Sequence, residues 1–557
     1  MIREFFRELS TRDRAFIFWV ILGALFLSSV PYLFGVIAAG EHYAYLGLYP
    51  LGSADTNVYY SFIRQAMDGD IFIRNLHTGE PQNGTIFHPL WLLLGWASSL
   101  FQLSPILVFH LARLVVGAAF LLFFYFFLSR VFSDSRRRNI AFFLAAFSSG
   151  IGVFFSIGVS VWDPIQGMLL LPADQWITES NTFLTLMHSP LFLLSQLLLL
   201  VLLWCFLEEE RIKNYFLVGG ALFLLVLMHP YDLVTVGVVL PAFLVLRLLR
   251  DPTLTAEALR RSFRRLVLLA LCSLPPLLAF FVGARNEIAI GGWTKQNVTT
   301  SPMLHSYILG YGLVLIFAVV GCAALRKTQS RAQLLVLTWT VVSLLLLYVP
   351  IQINRRMSNG LHLALVILAA AGVDLFWSWF RAHRPRRELA RHISTALLGW
   401  ILGFGFFFST LTVIVKSIYW EASPSTSIYY LSKPVARGMD WLEAHESRSA
   451  VLLAHSYHGN ILPARTGLRV FVGHGHQTID WDEKRRLVTT WFFRTNADDE
   501  KKAQFLRENG ITTIFFSDLE NRIGAYDPSS KSYLTPIFRN SGVTIYRVLQ
   551  DDENALP

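Results

Sequence analysis

Long apolar segments recur along most of the sequence, and they restrict the fold more than any other feature. A helix that crosses a bilayer needs about 20 predominantly apolar residues, and windows of this kind occur from residue 16 to residue 415. The composition agrees, because 54% of the 557 residues are hydrophobic and only 15% are charged. A soluble globular domain does not have this balance. We therefore predict a mainly α, polytopic transmembrane helix bundle.

Eleven of the apolar windows are long enough to be membrane spans. One further segment, residues 89–103, is too short to cross comfortably, and we expect it to be re-entrant or to lie in the membrane interface. The arginine-rich N-terminus precedes a span that lacks a small-residue cleavage motif, so we expect a retained first helix. The predicted spans are residues 16–38, 105–131, 139–159, 189–207, 215–230, 232–250, 265–284, 304–325, 333–350, 358–380 and 393–415.

The distribution of Lys and Arg assigns the two sides of the membrane. With eleven spans and a cytoplasmic N-terminus, the cytoplasmic segments hold 23 Lys or Arg residues, whereas the external loops of the membrane part hold six. This difference follows the positive-inside rule. The formal net charge of +10 therefore reflects the cytoplasmic loops of a membrane protein and does not indicate a nucleic-acid partner.

Composition divides the chain into two predicted domains. Residues 1–415 form the transmembrane domain, in which residues 39–88 are a long first external loop, and residues 416–557 form a soluble extracytoplasmic domain. Within the latter, residues 434–547 alternate helix-like and strand-like segments, which predicts a small α/β fold. Its histidines lack carboxylates at matching spacing and are more typical of loop histidines than of a metal site. They are His455, His458, His474 and His476.

Polar and ionisable residues collect in the predicted external loops and at the outer ends of the spans. Such residues are costly at membrane depth and usually face a polar cavity or a partner. Together they predict one charged cleft that opens outward. The candidates are Asp55, Tyr59 and His88 in the first loop, Glu179 and His188 in the second, His229 and Asp232 in the turn MHPYD, Arg355 and Arg356 in QINRRMSNG, and Arg113 inside the second span.

Several of these candidates also have purely structural interpretations. Asp55 can cap the following helix, because a short acceptor side chain satisfies free backbone N–H groups. Residues 57–67 are amphipathic, and DGD at 68–70 is most simply the turn that ends this helix. The histidines next to prolines can end helices, and Arg355 and Arg356 can anchor the chain to lipid headgroups. Arg113 is the hardest to explain in this way, since its side chain lies far from the interface.

A family resemblance rests on the segment ADTNVYYSFIRQAMDG and the Pro-headed apolar return FHPLWLLLG. Together with a first span before them and about eleven spans before a soluble outer domain, they resemble the GT-C glycosyltransferases. That superfamily includes the protein O-mannosyltransferases, the catalytic subunit of oligosaccharyltransferase and the lipid A aminoarabinose transferase. The resemblance is best over residues 16–130 and is one of topology beyond them. The tail resembles those of bacterial membrane proteins with the same layout.

The resemblance implies a sugar donor linked to a polyprenyl phosphate or pyrophosphate lipid, and a loop aspartate that acts on the acceptor hydroxyl. Only Asp55 maps securely onto this pattern, and Thr56 follows it where the O-mannosyltransferases have a glutamate. The second acidic residue must then come from elsewhere, with Glu179 preferred and Asp163 next. The acceptor would be a glycan, a lipid or a protein at the outer face of a bacterial cytoplasmic membrane, and no nucleic acid is expected.

The chemistry of sugar transfer agrees with these assignments. The attacking hydroxyl needs a base, which we assign to Asp55, and a nearby carboxylate such as Glu179 assists an oxocarbenium-like carbon. Fixed cations stabilise the leaving phosphate, and arginine binds its oxygens in a bidentate manner. We assign this role to Arg355 or Arg356, with Arg113 as the second candidate. A single displacement would invert the anomeric carbon.

The resemblance leaves the cofactor open. Some GT-C enzymes bind a divalent metal near the loop carboxylates, and the acid-rich cleft permits one here. The sequence nevertheless has no tight cluster with metal-ligand spacing. We find no P-loop or glycine-rich phosphate motif, so a nucleotide donor is not expected.

A transporter or flippase of lipid-linked sugars or other polar lipids is the alternative function. Such a protein would also place charges in a helical bundle that opens outward, but it often has internal repeats and helices broken in mid-membrane. The sequence shows no repeat, and the acidic residues lie in loops. A non-catalytic scaffold leaves the cleft residues without a role. The sequence therefore favours a membrane glycosyltransferase.

Overall fold

The computed structural model describes residues 2–156, 162–163, 168–169, 171–208, 215–250, 255–325, 330–384 and 387–549. The chain forms two compact units, and each is assembled from three stretches of sequence. Unit 1 consists of Met1–Pro31, His110–Leu277 and Val298–Ile418, and unit 2 consists of Tyr32–Phe109, Leu278–Asn297 and Tyr419–Pro557. Unit 2 therefore joins the first long loop to the C-terminal part of the chain.

Long apolar helices make up the membrane part of the protein. Within the described residues, eight helices are long and apolar enough to cross a membrane. This confirms the mainly α, polytopic bundle that the apolar windows predict. The eight helices are Thr11–Ala39, Pro105–Val131, Pro190–Leu207, Asp232–Arg250, Ala256–Asn286, Leu304–Leu325, Asn354–His383 and Glu388–Glu421. Asn354–His383 consists of a 3₁₀ turn, Asn354–Ser358, and the α-helix Leu361–His383.

Three of the eleven predicted spans are shorter helices. The windows 215–230 and 333–350 correspond to Tyr215–Met228 and Arg331–Leu346, of 14 and 16 residues. The window 139–159 corresponds to Ser135–Phe147, of 13 residues, and its last three positions lie outside the described residues. The segment predicted to be interfacial forms the helix Pro89–Phe101, which also has 13 residues.

Short elements connect the long helices of unit 1. Polar caps fix two of the helix starts: Asn181 Oδ1 accepts the N–H of Leu184 and Ser189 Oγ accepts the N–H of Leu191, both at 3.1 Å. These bonds satisfy backbone donors that have no partner within the helix. The short elements are the helices Ile2–Glu8, Val153–Ser156 and Thr182–His188, the 3₁₀ turns Ala173–Gln175, Thr178–Ser180 and Asn354–Ser358, and the strand pair Trp162–Asp163 and Met168–Leu169.

Glycines bring two long helices of unit 1 into close contact. A Cβ atom on Gly321 would lie 1.9 Å from Leu368 O, and one on Gly372 would lie 2.0 Å from Phe317 O. Cβ atoms do not approach backbone oxygens so closely, so glycine is needed for the backbones of Leu304–Leu325 and Leu361–His383 to pack as they do.

The C-terminal region of unit 2 contains the predicted small α/β fold, which is confirmed. In spatial order its five strands are Arg469–Val470, Val451–Leu453, Thr513–Ser517, Val543–Val548 and Leu534–Arg539. The first three are parallel, and the last two pair antiparallel. The helical elements are Lys433–His445, Ser456–Thr466, Trp481–Arg486, a π-helical turn Leu487–Phe492, Asp499–Glu508, Asp518–Asn521 and the 3₁₀ turn Pro528–Ser530.

The first long loop is folded onto this α/β region within unit 2. Its strand Tyr43–Tyr45 pairs antiparallel with Tyr430–Ser432, and Thr78 forms an isolated bridge with Val472. The Asn57 side-chain amide donates to Asn460 Oδ1 at 2.6 Å. The helices Ser53–Met67, Pro89–Phe101 and Ile288–Gln296 complete the unit.

Candidate active site

A buried carboxylate between two arginines is the most distinctive polar feature of unit 1. Glu179 lies in the 3₁₀ turn Thr178–Ser180 and is only 4% exposed. Its Oε1 is 3.3 Å from Arg356 Nη1 and 3.5 Å from Arg355 Nε. Burial alone would raise the pKa of the Glu179 carboxyl, but the charges of Arg356 and Arg355 outweigh burial and hold the pKa below its ordinary value. The carboxylate is therefore ionised at neutral pH.

Backbone and side-chain hydrogen bonds fix the segment that carries the two arginines. The N–H of Arg355 donates to Thr299 O at 3.1 Å, and Asn354 Oδ1 accepts the N–H of Ser301 at 2.6 Å. The Ser358 hydroxyl donates back to Arg355 O at 2.8 Å. The 3₁₀ turn Asn354–Ser358 is thus held in place before any ligand binds.

Aromatic rings lie beside the two arginines, and we call this group of residues around Glu179, Arg355 and Arg356 the Glu179 pocket. The Arg355 guanidinium lies 5.2 Å from the ring centroid of Trp176, and that of Arg356 lies 5.7 Å from Tyr231 and 6.0 Å from Phe192. Such cation–π contacts orient a guanidinium without neutralising its positive charge. No residue in the described part of the chain accepts a hydrogen bond from the buried Nε of Arg355. Two guanidiniums face one carboxylate here, so the Glu179 pocket has the charge to bind an anion.

A hydrogen-bonded network surrounds the turn MHPYD at one side of this pocket. His229 Nδ1 and Asp232 Oδ2 are 2.9 Å apart, and the Ser195 hydroxyl donates to the same oxygen at 2.8 Å. The Asn359 amide donates to Asp232 Oδ1 at 3.0 Å and connects the network to the arginine segment. His229 also contributes to the lowered pKa of the Glu179 carboxyl.

The structure therefore brings six of the sequence candidates together in unit 1. His188 ends the helix Thr182–His188, and its ring contacts Phe192 at 5.3 Å between centroids. Phe192 also contacts His229 at 5.3 Å. The six candidates are Glu179, His188, His229, Asp232, Arg355 and Arg356.

Arg113 has a different environment in unit 1. It is 1% exposed, and its Nη1 donates to Leu186 O at 2.6 Å and to Ser28 Oγ at 3.2 Å. Its Nη2 donates to Ser29 Oγ at 2.9 Å. These bonds join Pro105–Val131 to Thr11–Ala39 and Thr182–His188, which explains how a cation is accommodated at this depth.

Unit 2 contains the loop aspartate. Asp55 is the third residue of the helix Ser53–Met67, whose N-cap is Gly52, so it is not the N-cap residue. Its Oδ1 is 3.0 Å from His474 Nε2, and its side chain is 52% exposed. A carboxylate in the first turn of a helix is stabilised by the helix dipole. Asp55 is thus an ionisable group that is both anchored and open to solvent.

Tyr59 and His88 form an aromatic stack in unit 2. Both rings lie against Trp91, at 5.0 Å and 5.2 Å between centroids, and Trp91 is buried. His88 is the N-cap residue of Pro89–Phe101, so it begins a helix, and its structural interpretation as a residue that ends a helix is wrong. The stack packs Ser53–Met67 against Pro89–Phe101.

Four residues that contact the candidates are not apparent from the sequence. Trp176 contacts Arg355, and Ser195 and Asn359 donate hydrogen bonds to Asp232. These partners are distant in the sequence, so the local sequence pattern does not reveal the contacts. His474 has only a weak signal, because the sequence presents it as one of several histidines in the C-terminal region. The side chain of Asp163, the second choice for the additional acid, lies outside the described residues.

Similarity to known proteins is found in the fold and not in the sequence. No protein-family model and no curated protein matches the sequence. Solved structures do match, among them membrane glycosyltransferases of the GT-C superfamily. The chain has the GT-C fold.

Three solved structures illustrate the similarity. AglB, the oligosaccharyltransferase of Archaeoglobus fulgidus, in complex with an inhibitory peptide and a dolichol-phosphate, has a TM-score of 0.57 at 14% identity over 91% of this chain and 70% of that chain. The same oligosaccharyltransferase with Zn and sulfate has a TM-score of 0.54 at 14% identity over 89% and 68%. ArnT from Cupriavidus metallidurans in the apo state has a TM-score of 0.52 at 13% identity over 95% and 97%.

Proposed function

We propose that this protein is a membrane glycosyltransferase that moves a sugar from a polyprenyl-phosphate donor to an acceptor at the extracytoplasmic face. The observation that carries the proposal is the Glu179 pocket, in which Arg355 and Arg356 face one carboxylate on a GT-C fold. The dolichol-phosphate in the Archaeoglobus AglB structure supports a lipid phosphate as the ligand class.

The donor phosphate is assigned to the two arginines. As the glycosidic bond breaks, the leaving phosphate gains negative charge, and cations fixed in advance stabilise that charge more in the transition state than in the ground state. The buried Nε of Arg355 makes no hydrogen bond within the described residues, since Glu179 Oε1 is 3.5 Å away, so a phosphate oxygen would satisfy it. Glu179 keeps both guanidiniums oriented and, being ionised, is suited to assist a positively charged anomeric carbon.

His229 and Asp232 extend this site. The hydrogen bond to Asp232 holds one imidazole nitrogen and so fixes the ring plane. We assign His229 to the headgroup of the donor, while the Ser195–Asn359 network keeps Asp232 in place. His188 contributes to the wall of the pocket through Phe192.

Asp55 is assigned the role of base. Its exposed carboxylate would take the proton from the acceptor hydroxyl as that oxygen attacks the anomeric carbon, and a single displacement gives inversion. Within the described residues no group of three or more His, Cys, Asp or Glu is arranged to hold a metal ion.

The membrane topology completes the proposal. A cytoplasmic N-terminus places the first long loop and the C-terminal α/β region outside the cytoplasm, as the positive-inside rule indicates. The lipid tail of the donor then stays in the hydrocarbon while its headgroup reaches a site at the bilayer surface.

A transfer assay tests the function. Purified protein is incubated with polyprenyl-phosphate sugars and a pool of candidate acceptors. We expect Asp55→Asn to lower the rate by about 10²–10⁴-fold, because general base catalysis is lost, and Arg356→Gln by about 10²–10³-fold. Arg437→Gln, at an exposed position in Lys433–His445, is the matched control and should retain full activity.

Two results would count against the proposal. Equal product formation by wild type and Asp55→Asn would remove the base assignment. Movement of intact lipid-linked sugar across vesicles without any transfer would favour the flippase alternative.

A further inference from the structure

The C-terminal region of unit 2 contributes a histidine to the loop aspartate. Residues 472–479, which we call the HGH loop, are held by four hydrogen bonds, three of them to the first long loop and one within the HGH loop. They are Thr478 Oγ1 to His77 O at 2.6 Å, Ile479 N to Thr78 Oγ1 at 3.1 Å, Asn75 Nδ2 to Gln477 O at 2.7 Å and, inside the HGH loop, Gly473 N to Thr478 Oγ1 at 2.9 Å.

Close packing also fixes the start of the HGH loop. A Cβ atom on Gly473 would lie 2.6 Å from Gly459 O, and one on Gly459 would lie 2.0 Å from Val472 O. The helix Ser456–Thr466 therefore packs directly against the backbone that precedes His474. This rigid support sets the position of the His474 ring.

The hydrogen bonds of His474 determine which ring nitrogen carries the proton. Nδ1 accepts the backbone N–H of His476 at 3.1 Å, and an accepting nitrogen cannot carry a hydrogen of its own. In the neutral ring the hydrogen is therefore on Nε2, which lies 3.0 Å from Asp55 Oδ1. Since His474 is only 4% exposed, this donor is presented to Asp55 in a fixed direction.

We infer that His474 is a positioning residue for the base Asp55, and this inference rests on the proposed function. The Nε2–H bond holds one carboxylate oxygen and favours the ionised form that can accept a proton. About half of the Asp55 side chain remains exposed, so the acceptor hydroxyl can still reach it. The α/β region thus takes part in the reaction through a residue that does not itself touch the reacting atoms.

Conservative replacement tests the role of the donor. In His474→Gln the amide N–H can replace Nε2–H, whereas His474→Leu removes the donor. We expect His474→Leu to lower kcat about tenfold or more, a part of the 10²–10⁴-fold that a general base supplies, with the KM for the donor within about twofold. His474→Gln should recover most of this loss. His445→Leu, at an exposed histidine of the same unit, is the matched control.

A double-mutant cycle separates this inference from the proposed function. If His474 acts through Asp55, His474→Leu should cause no further loss in the Asp55→Asn background. Independent, multiplicative losses or a wild-type rate for His474→Leu would overturn the inference while leaving Asp55 as the base. Recovery of His474→Leu by added divalent metal would also overturn it. Full activity of Asp55→Asn would overturn the base assignment and this inference with it, whereas the absence of sugar transfer by the wild-type protein would overturn the proposed function itself.

Discussion

At the scale of single residues, the clearest feature is the unequal charge in the Glu179 pocket. Glu179 is a buried carboxylate that faces two guanidiniums, and aromatic rings lie beside both arginines. A buried ion pair contributes little net stability compared with an apolar replacement, but loss of one partner is expensive because the other charge is left unpaired. Glu179 therefore contributes to the stability of the fold in addition to its proposed role in catalysis.

Glu179→Gln is predicted to destabilise the protein. The substitution leaves Arg355 and Arg356 without their shared anion, and we expect a loss of about 3–5 kcal/mol in the free energy of unfolding. The measurement is the thermal unfolding midpoint in detergent. Glu443→Gln is the control. The Glu443 side chain is 35% exposed and pairs with Arg64, so loss of this ion pair should lower the free energy of unfolding by less than about 1 kcal/mol.

Acidification provides a second readout for the same variant. The folded pKa of Glu179 is lowered from its ordinary value of 4.5, so its contribution is fully present above pH 4.5 and is lost as the pH falls through the folded pKa. Over that interval the difference in stability between wild type and Glu179→Gln should shrink. A difference that stays constant on acidification would contradict the assignment of the lowered pKa to this residue.

At the scale of helices and strands, hydropathy locates the elements but not their ends. The window 265–284 lies within the much longer helix Ala256–Asn286. A helix can continue through polar residues as long as the backbone N–H and C=O groups at its ends have hydrogen-bond partners. Gly312, with φ +44° and ψ −122°, interrupts Leu304–Leu325, and no local pattern predicts this. Hydropathy reflects the preference of a segment for an apolar medium. The hydropathy pattern therefore contains no information on backbone kinks.

Gly372→Leu is predicted to disrupt the packing of two long helices. The added side chain would meet the backbone of Phe317, starting with a Cβ only 2.0 Å from its oxygen. We expect a loss of about 3 kcal/mol or more, the upper end of the cost of overpacking, measured as a lower thermal unfolding midpoint. Gly399→Leu is the matched control, because nothing lies within 4 Å of a Cβ at that position of Glu388–Glu421. Similar losses in both variants would exclude close packing as the cause.

At the scale of the whole molecule, the sequence predicts the class of fold better than the site. Apolar windows and the alternating pattern of the tail suffice for a helical membrane protein with a small α/β fold, because both signals are local. Contacts between distant segments are not local. Arg356 and Glu179 are 177 residues apart, and the aromatic rings around the arginines come from further segments. The residues of the site can therefore be chosen by type and side of the membrane, but their partners need coordinates.

Truncation of the chain tests how unit 2 is built. A chain that ends at residue 420 lacks the strand Tyr430–Ser432, which pairs with Tyr43–Tyr45, and also lacks Asn460, the partner of Asn57. We expect backbone amides of Tyr43–Tyr45 and Ser53–Met67 to exchange with solvent at least about tenfold faster than in the full chain. Equal exchange in the two chains would show that the first long loop folds without the C-terminal region.

The pairing of Tyr43–Tyr45 with Tyr430–Ser432 also sets an order of events on the ribosome. The first long loop is synthesised early and the strand that pairs with it much later, whereas folding usually begins with the part made first. The edge of Tyr43–Tyr45 therefore stays unpaired until Tyr430–Ser432 has been synthesised. Asp55 meets His474 only after the HGH loop has been synthesised, so under the proposed function a nascent chain cannot become active before that point.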